Sequence, residues 1–155
     1  MARTIARADR VDRGELEAFI RPRHNVILAT TRSDGRPQLS PVTAGLDGGG
    51  RLVIATYPQR AKVANLRRAP QAAACVLSDD FGGAWVQVYG TAEVLDLPEA
   101  VEALVEYFRV IAGEHPDWDE YRQAMRDQGK VLVRLHIEDW GPIATGGFPP
   151  ELAED

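Results

Sequence analysis

The stretch Asn25-Val26-Ile27-Leu28-Ala29-Thr30-Thr31 runs through Ser33-Asp34-Gly35-Arg36 and returns as Pro37-Gln38-Leu39-Ser40-Pro41-Val42-Thr43 toward Leu46. The first run is short, apolar and β-branched, so it predicts a strand. Asp34-Gly35 between two such runs is a strong hairpin signal. On the return, Leu39, Pro41 and Thr43 alternate with Gln38, Ser40 and Val42. Pro41 has no N–H to give a ladder, which implies an edge position or a bulge. The chain therefore starts as an antiparallel hairpin.

The pattern extends in both directions. Asp47-Gly48-Gly49-Gly50 turns into a third strand, Arg51–Thr56. These glycines match neither the dinucleotide nor the Walker spacing and precede no helix, so they read as a hairpin loop. Tyr57-Pro58-Gln59 breaks the strand, and Arg60–Arg68 consists of good helix formers. Gln71–Ser78 is a fourth strand, apolar enough for burial on both faces. After the turn at Asp79–Gly83, Ala84–Leu95 is a fifth, with Trp85, Gln87 and Tyr89 opposite Val86, Val88 and Gly90. Pro98 suits the first helical position, and Val101, Leu104, Val105, Phe108 and Ile111 recur at helical spacing. His115-Pro116 separates that helix from a shorter one at Trp118–Asp127. Lys130–Ile137 alternates as a sixth strand.

At the N-terminal side, Asp12-Arg13-Gly14-Glu15 has the form of a capping box. It opens a helix striped by Leu16, Phe19 and Ile20 that ends near Pro22. Gly141–Pro150 is either an ordered arm or a loose tail; Trp140 and Phe148 are aromatics that a disordered tail seldom carries. The whole predicts one domain over residues 1–155, mainly β with flanking helices. It would be a small, closed, six-stranded antiparallel barrel with arms at 1–11 and 141–155. A barrel of that size fills its own interior, so a sizeable ligand would lie outside it, against an edge or a second subunit.

Composition narrows the function. The chain has 155 residues, enough for one core, a net charge of −5 and a pI near 5.2. That balance weighs against general nucleic-acid binding. No apolar run approaches the roughly 20 residues of a membrane span, and the charged N-terminus has no signal-peptide character. Cys75 is the one cysteine, which excludes an internal disulfide, fits a reducing cytoplasm and reads as a buried small hydrophobe. There is no Gly-x-Ser-x-Gly. His24, His115 and His136 lack metal spacing, so no metal site is expected. The carboxylate pairs read as solvated surface. No residue stands out as a catalytic acid, base or nucleophile, so an enzyme built this way would rely on a cofactor for the hard chemistry.

One segment departs from the acidic balance. Between Asp47 and Asp79 there is no Asp or Glu, while Arg51, Arg60, Lys62, Arg67 and Arg68 supply cations. A local positive field inside an acidic chain argues for a bound anion. The order strand, tight turn, helix start puts unpaired N–H groups and a positive dipole end beside Arg60 and Lys62, a cradle suited to phosphate. Arg60 and Lys62 can grip one phosphate only if Arg60 lies at or before the first turn. The same residues would also make an ordinary surface helix with solvated cations. Lys62 and Lys130 are the only lysines, so a compact ammonium at Lys62 reads as a choice.

Two segments carry a resemblance. Ala29-Thr30-Thr31-Arg32-Ser33-Asp34-Gly35-Arg36-Pro37-Gln38-Leu39-Ser40-Pro41-Val42 is followed by Ala55-Thr56-Tyr57-x-x-Arg60-Ala61-Lys62-Val63-Ala64-Asn65-Leu66-Arg67-Arg68-Ala69-Pro70. Together with Val86–Glu93 and Trp140-Gly141-Pro142, they resemble the flavin-binding split-barrel superfamily of pyridoxamine 5′-phosphate oxidase. Within it they are similar to the actinobacterial oxidoreductases that use the deazaflavin coenzyme F-420. The resemblance implies a Greek-key split barrel and a cytoplasmic homodimer with the cofactor at the subunit interface. It implies phosphate contacts from Arg60 and Lys62 with Asn65 nearby, Thr56 and Tyr57 leading into them. Thr30, Thr31, Gln38, Ser40, Pro41 and Val42 would line the ring, with Trp85 and Gln87 on the strand beside it. Flavin mononucleotide (FMN) presents a phosphate at the same place and stays open as the alternative, as does a non-catalytic carrier of flavin, deazaflavin or haem. The arginine- and alanine-rich composition resembles that of a GC-rich actinobacterium, which favours the deazaflavin. The small organic substrate is not legible.

Overall fold

The computed structural model describes residues 4–153. In chain order the elements are β1 (Arg7–Asp9), α1 (Arg13–Ile20), β2 (Asn25–Thr31), β3 (Pro37–Thr43), β4 (Gly45–Leu46), β5 (Leu52–Thr56) and α2 (Ala61–Arg68). There follow β6 (Gln71–Val76), β7 (Val86–Leu95), α3 (Ala100–Ala112), α4 (Trp118–Gln128), β8 (Val131–Trp140) and β9 (Ile143–Thr145), with a 3-10 turn at Pro150–Leu152. A seven-stranded sheet runs in the order β3-β2-β6-β7-β8-β5-β4, and β1 pairs with β9 apart from it. Every pairing between these strands is antiparallel.

The expectation of six strands is corrected to seven. Pro37–Leu46 is not one strand: it breaks at Ala44, whose N–H donates to the His24 carbonyl. β3 pairs with β2, whereas Gly45 and Leu46 pair with Val53 and Leu52 of β5. Gly45 makes the corner possible, because a Cβ there would come within 3.0 Å of Val110 and 3.1 Å of Ile111. β3 and β4 are the two edges of the sheet, yet a single residue joins them. The sheet must therefore curl until its edges meet, which makes a barrel that is closed in shape but split in its hydrogen bonding. Pro41 lies on an edge strand, as its missing donor requires.

Two cores follow from the curl. Inside the barrel, Leu28, Leu52, Ile54, Val76, Val88 and Leu135 pack together and are capped at one end by Leu16 and Ile20 of α1. On the outer side of β5 and β8, Val53 and Leu132 are covered by Leu104, Val105, Tyr121 and Met125 of α3 and α4. Each such side chain contributes about 1.5–3 kcal/mol by leaving water. The remaining outer face, across β3, β2, β6 and the start of β7, is not covered by a helix. β6 thus buries Ala72, Ala74 and Val76 but leaves Ala73 and Cys75 half-exposed, correcting the expectation of burial on both faces. Small apolar residues on that outer side imitate a doubly buried strand.

Other local readings hold or shift by a residue or two. Asp12 caps α1 by accepting from the Glu15 N–H at 2.8 Å. Pro98 is not the first helical residue: α3 starts at Ala100 behind the turn in which the Ala100 N–H reaches the Asp96 carbonyl. The C-terminal segment is an ordered arm through Leu152. β9 lies on β1, and the Trp140 Nε1–H donates to the Val11 carbonyl at 2.9 Å.

Candidate functional site

α2 begins where β5 ends, and the join makes a small polar cavity. Thr56 closes β5, Tyr57-Pro58-Gln59 turns, and Arg60 stands at the N-cap of α2 with extended backbone (φ −71°, ψ 144°). Lys62 is then the second helical residue. No side chain caps this end, and the N–H groups of Ala61 and Lys62 have no hydrogen-bond partner among the described residues. Around this bare helix start, Pro41, Val42, Thr43, Ala55, Thr56, Tyr57, Arg60, Lys62 and Tyr107 line a cavity of about 250 Å³.

The charges there are unopposed. Arg60 and Lys62 form no ion pair with a described carboxylate, although Arg51, Arg67, Arg109, Arg122 and Arg134 do. Burial, and then the Arg60 charge beside it, push the Lys62 ammonium below its ordinary pKa. Holding two cations together without a counter-charge is unfavourable, and a bound anion relieves it. Tyr107, which the sequence reading did not single out, closes the wall from α3. Its hydroxyl donates to the Thr43 carbonyl at 2.9 Å, and burial raises its pKa.

Asn65 faces the other way. Only 7% exposed, it donates from Nδ2 to Thr30 Oγ1 at 3.1 Å and accepts at Oδ1 from Arg68. Thr30 donates in turn to Gln38 Oε1 at 3.1 Å, and Gln38 Nε2 reaches the Leu39 carbonyl. Arg68 also donates to the Thr31 carbonyl at 2.6 Å. This one-way chain of donors ties α2 to the edge strand that supplies Pro41, Val42 and Thr43. Ser40, on the same strand, has a buried Oγ with no hydrogen-bond partner.

The remaining expected residues lie on the uncovered outer sheet face. Thr31 borders a hollow of about 410 Å³ with Pro37, Ala73, Tyr89 and Asp139. Trp85 borders another of about 380 Å³ with Cys75, Leu77 and Phe81. Gln87 lies opposite Cys75 between them. The structure thus brings Pro41, Val42, Thr56, Tyr57, Arg60 and Lys62 to one cavity and distributes the others over the relay and the open face. No group of three or more His, Cys, Asp or Glu among the described residues is placed to hold a metal. No described helix is long and apolar enough to cross a membrane.

A curled antiparallel sheet whose two edges meet, with a bare helix start beside the seam, defines a split-barrel protein. Residues 13–144 match the model of the pyridoxamine 5′-phosphate oxidase family, and the chain belongs to that family. Among solved structures, it is similar to a conserved hypothetical protein from Mycobacterium tuberculosis at 24% identity, TM-score 0.72, covering 90% of this chain and 89% of that one. It is similar to an F-420 reductase at 21% identity, TM-score 0.60, covering 80% and 94%. A heme binding protein from Mycobacterium smegmatis is also similar, at 24% identity and TM-score 0.60, covering 84% of this chain and 54% of that one.

Proposed function

We propose that this chain is an oxidoreductase that binds a flavin-type cofactor by its phosphate, with coenzyme F-420 preferred and FMN as the alternative. The observation that carries the reading is the cavity at the start of α2, with its two unpaired cations and two unpaired N–H groups. The donor set fits the group. Arg60, Lys62 and the Ala61 and Lys62 amides are all donors, as a phosphate requires. The unpartnered Ser40 Oγ on the adjacent strand is a further polar atom without a mate. Bound there, either cofactor would supply the hydride chemistry. The chain's own part is to hold the phosphate at Arg60 and Lys62, to keep β3 in place through Asn65, Thr30 and Gln38, and to offer a proton at the Tyr89 hydroxyl.

A homodimer completes the picture. Leu39 (63% exposed), Trp85, Tyr89 and Phe81 (89% exposed) leave an apolar face that a second copy would cover. A two-subunit species in sedimentation at micromolar protein is the expected result; a clean monomer would leave the cofactor half a site. Fluorescence titration with F-420, FMN and haem tests the cofactor. Tight binding without hydride transfer to any of a panel of quinones, enones and tetrapyrroles would favour a non-catalytic carrier. Failure of all three to bind at micromolar concentration would sink the assignment.

A further inference from the structure

The chain's two lysines are far apart in sequence and meet at one tyrosine. The antiparallel register of β5 with β8 runs to Thr56 opposite Val131. One further step sets Tyr57 beside Lys130. Lys130 Nζ lies 4.4 Å from the Tyr57 ring centroid, and Arg60 Cζ lies 5.8 Å from it. The backbone leaves Lys130 little freedom: Gly129 ends α4 in the left-handed conformation (φ +68°), and the Lys130 N–H donates to the Met125 carbonyl. The ring itself is shared, since Tyr57 lines the cation cavity while Lys130 does not. Like Arg60 and Lys62, Lys130 has no carboxylate partner among the described residues, and its ammonium lies against a ring that lines the cavity.

A phosphate at the start of α2 is already met by Arg60, Lys62 and two amides. A third unpaired cation at the rim exceeds what one phosphate group needs. We propose that Lys130, held on the face of Tyr57, is a second anion subsite, and that the ligand is an organic phosphate carrying a further anionic group beyond the phosphate. The proposal rests on the phosphate reading of the cavity and sharpens it: FMN ends at its phosphate, whereas F-420 carries carboxylates beyond its phosphodiester.

The test is a fluorescence titration of wild type, Lys62→Ala, Lys130→Ala and Tyr57→Phe with FMN, FAD and F-420, with melting temperatures as the folding control. Lys62→Ala should weaken all three. Lys130→Ala should weaken F-420 by about tenfold, the loss of one charge-assisted contact, and leave FMN unchanged. Tyr57→Phe keeps the ring face, so the ratio of F-420 to FMN affinity should stay at the wild-type value whatever the variant does to the phosphate cavity. FAD, whose second anionic group is a phosphate, shows whether the subsite accepts either chemistry: a loss with F-420 alone assigns it to carboxylates, a loss with both to anions in general. Equal losses for FMN and F-420, or none for either, would reduce Lys130 to a brace for Tyr57 and overturn the subsite while leaving the phosphate site standing. A wild type that binds none of the three would overturn both.

Discussion

α2 and its N-cap carry four cations, and the two ends treat them differently. At the C-terminal end, Arg67 makes two bonds to Asp96, at 2.6 and 3.0 Å, and Arg68 donates to the Thr31 carbonyl and to Asn65. At the N-terminal end, Arg60 and Lys62 have no carboxylate partner among the described residues and face a cavity. The helix dipole makes the contrast sharper, because cations belong at a C-terminus and are disfavoured at an N-terminus. The paired end is a structural fastening. The unpaired end is an arrangement that the helix by itself gains nothing from.

The largest expected effect breaks the unpaired end. Lys62→Ala should lower cofactor affinity ten- to a hundredfold, the loss of a charge-assisted hydrogen bond of roughly 1.5–3 kcal/mol. Its stability should move by no more than about 0.5 kcal/mol. Arg60→Ala should act in the same direction, and the double variant should fall short of the sum if both hold one phosphate. Titration of the three variants decides it: equal affinity in wild type and Lys62→Ala would return α2 to an ordinary surface helix.

A second break targets what joins the two ends. Asn65→Ala removes the donor to Thr30 and the acceptor for Arg68 at a buried position. Leaving such groups unsatisfied costs about 1–3 kcal/mol, so urea unfolding should show a loss that Lys62→Ala does not. Should Asn65→Ala instead weaken the cofactor without touching stability, Asn65 would be a ligand contact and the relay a secondary feature.

These two substitutions also mark where the sequence was readable. The carboxylate-free stretch, the break at Tyr57-Pro58-Gln59 and the motif around Lys62 were enough to place the cations at a helix start. Charge and turn signals are local, so they survive without coordinates. Asn65 shows the limit: its place three residues after Lys62 was legible, but its buried bonds to Thr30 and Arg68 were not, because they depend on how α2 packs on β2. Tyr107 and Lys130 were silent because one reaches the cavity and the other the Tyr57 ring through packing between distant segments. The β5–β8 register would have found Lys130, but it depends on where each strand starts. The seventh strand was hidden for a related reason: one residue, Ala44, passes the chain from one edge of the sheet to the other, and no local pattern marks that.

The ends should also separate by pH. Lys62 has a lowered pKa, from burial first and the Arg60 charge second, while a bound phosphate favours its charged form. Affinity should therefore hold at neutral pH and decline as pH rises through the lowered Lys62 value, below the usual 10.5. Lys62→Ala should lack that decline. Asp96 behaves oppositely: the Arg67 hydrogen bond, outweighing desolvation, holds its carboxyl below the usual 3.8. Its folded pKa is depressed, so the stability it contributes is present above 3.8 and disappears as pH falls through the lower folded value. Affinity profiles and acid unfolding curves of wild type, Lys62→Ala and Asp96→Asn measure both. An alkaline decline that persists in Lys62→Ala would assign it to another group.

The smallest effect is expected where the charges look most complete. Arg67 and Asp96 make the best-formed pair on α2, but both are about half-exposed. Water already solvates such charges well, salt screens them, and pairing immobilises two side chains, so exposed pairs contribute about 0–1 kcal/mol. Arg67→Ala should thus move stability by a few tenths of a kcal/mol and leave cofactor affinity where it was, despite removing a cation from the same helix. Raised salt should weaken the wild type more than Lys62→Ala and affect Arg67→Ala like wild type, because Lys62 faces the anion and Arg67 does not. If Arg67→Ala costs as much affinity as Lys62→Ala, the effect of α2 is a diffuse field of the whole segment rather than a contact. The distinction between its two ends would then fail at the point where it is easiest to measure.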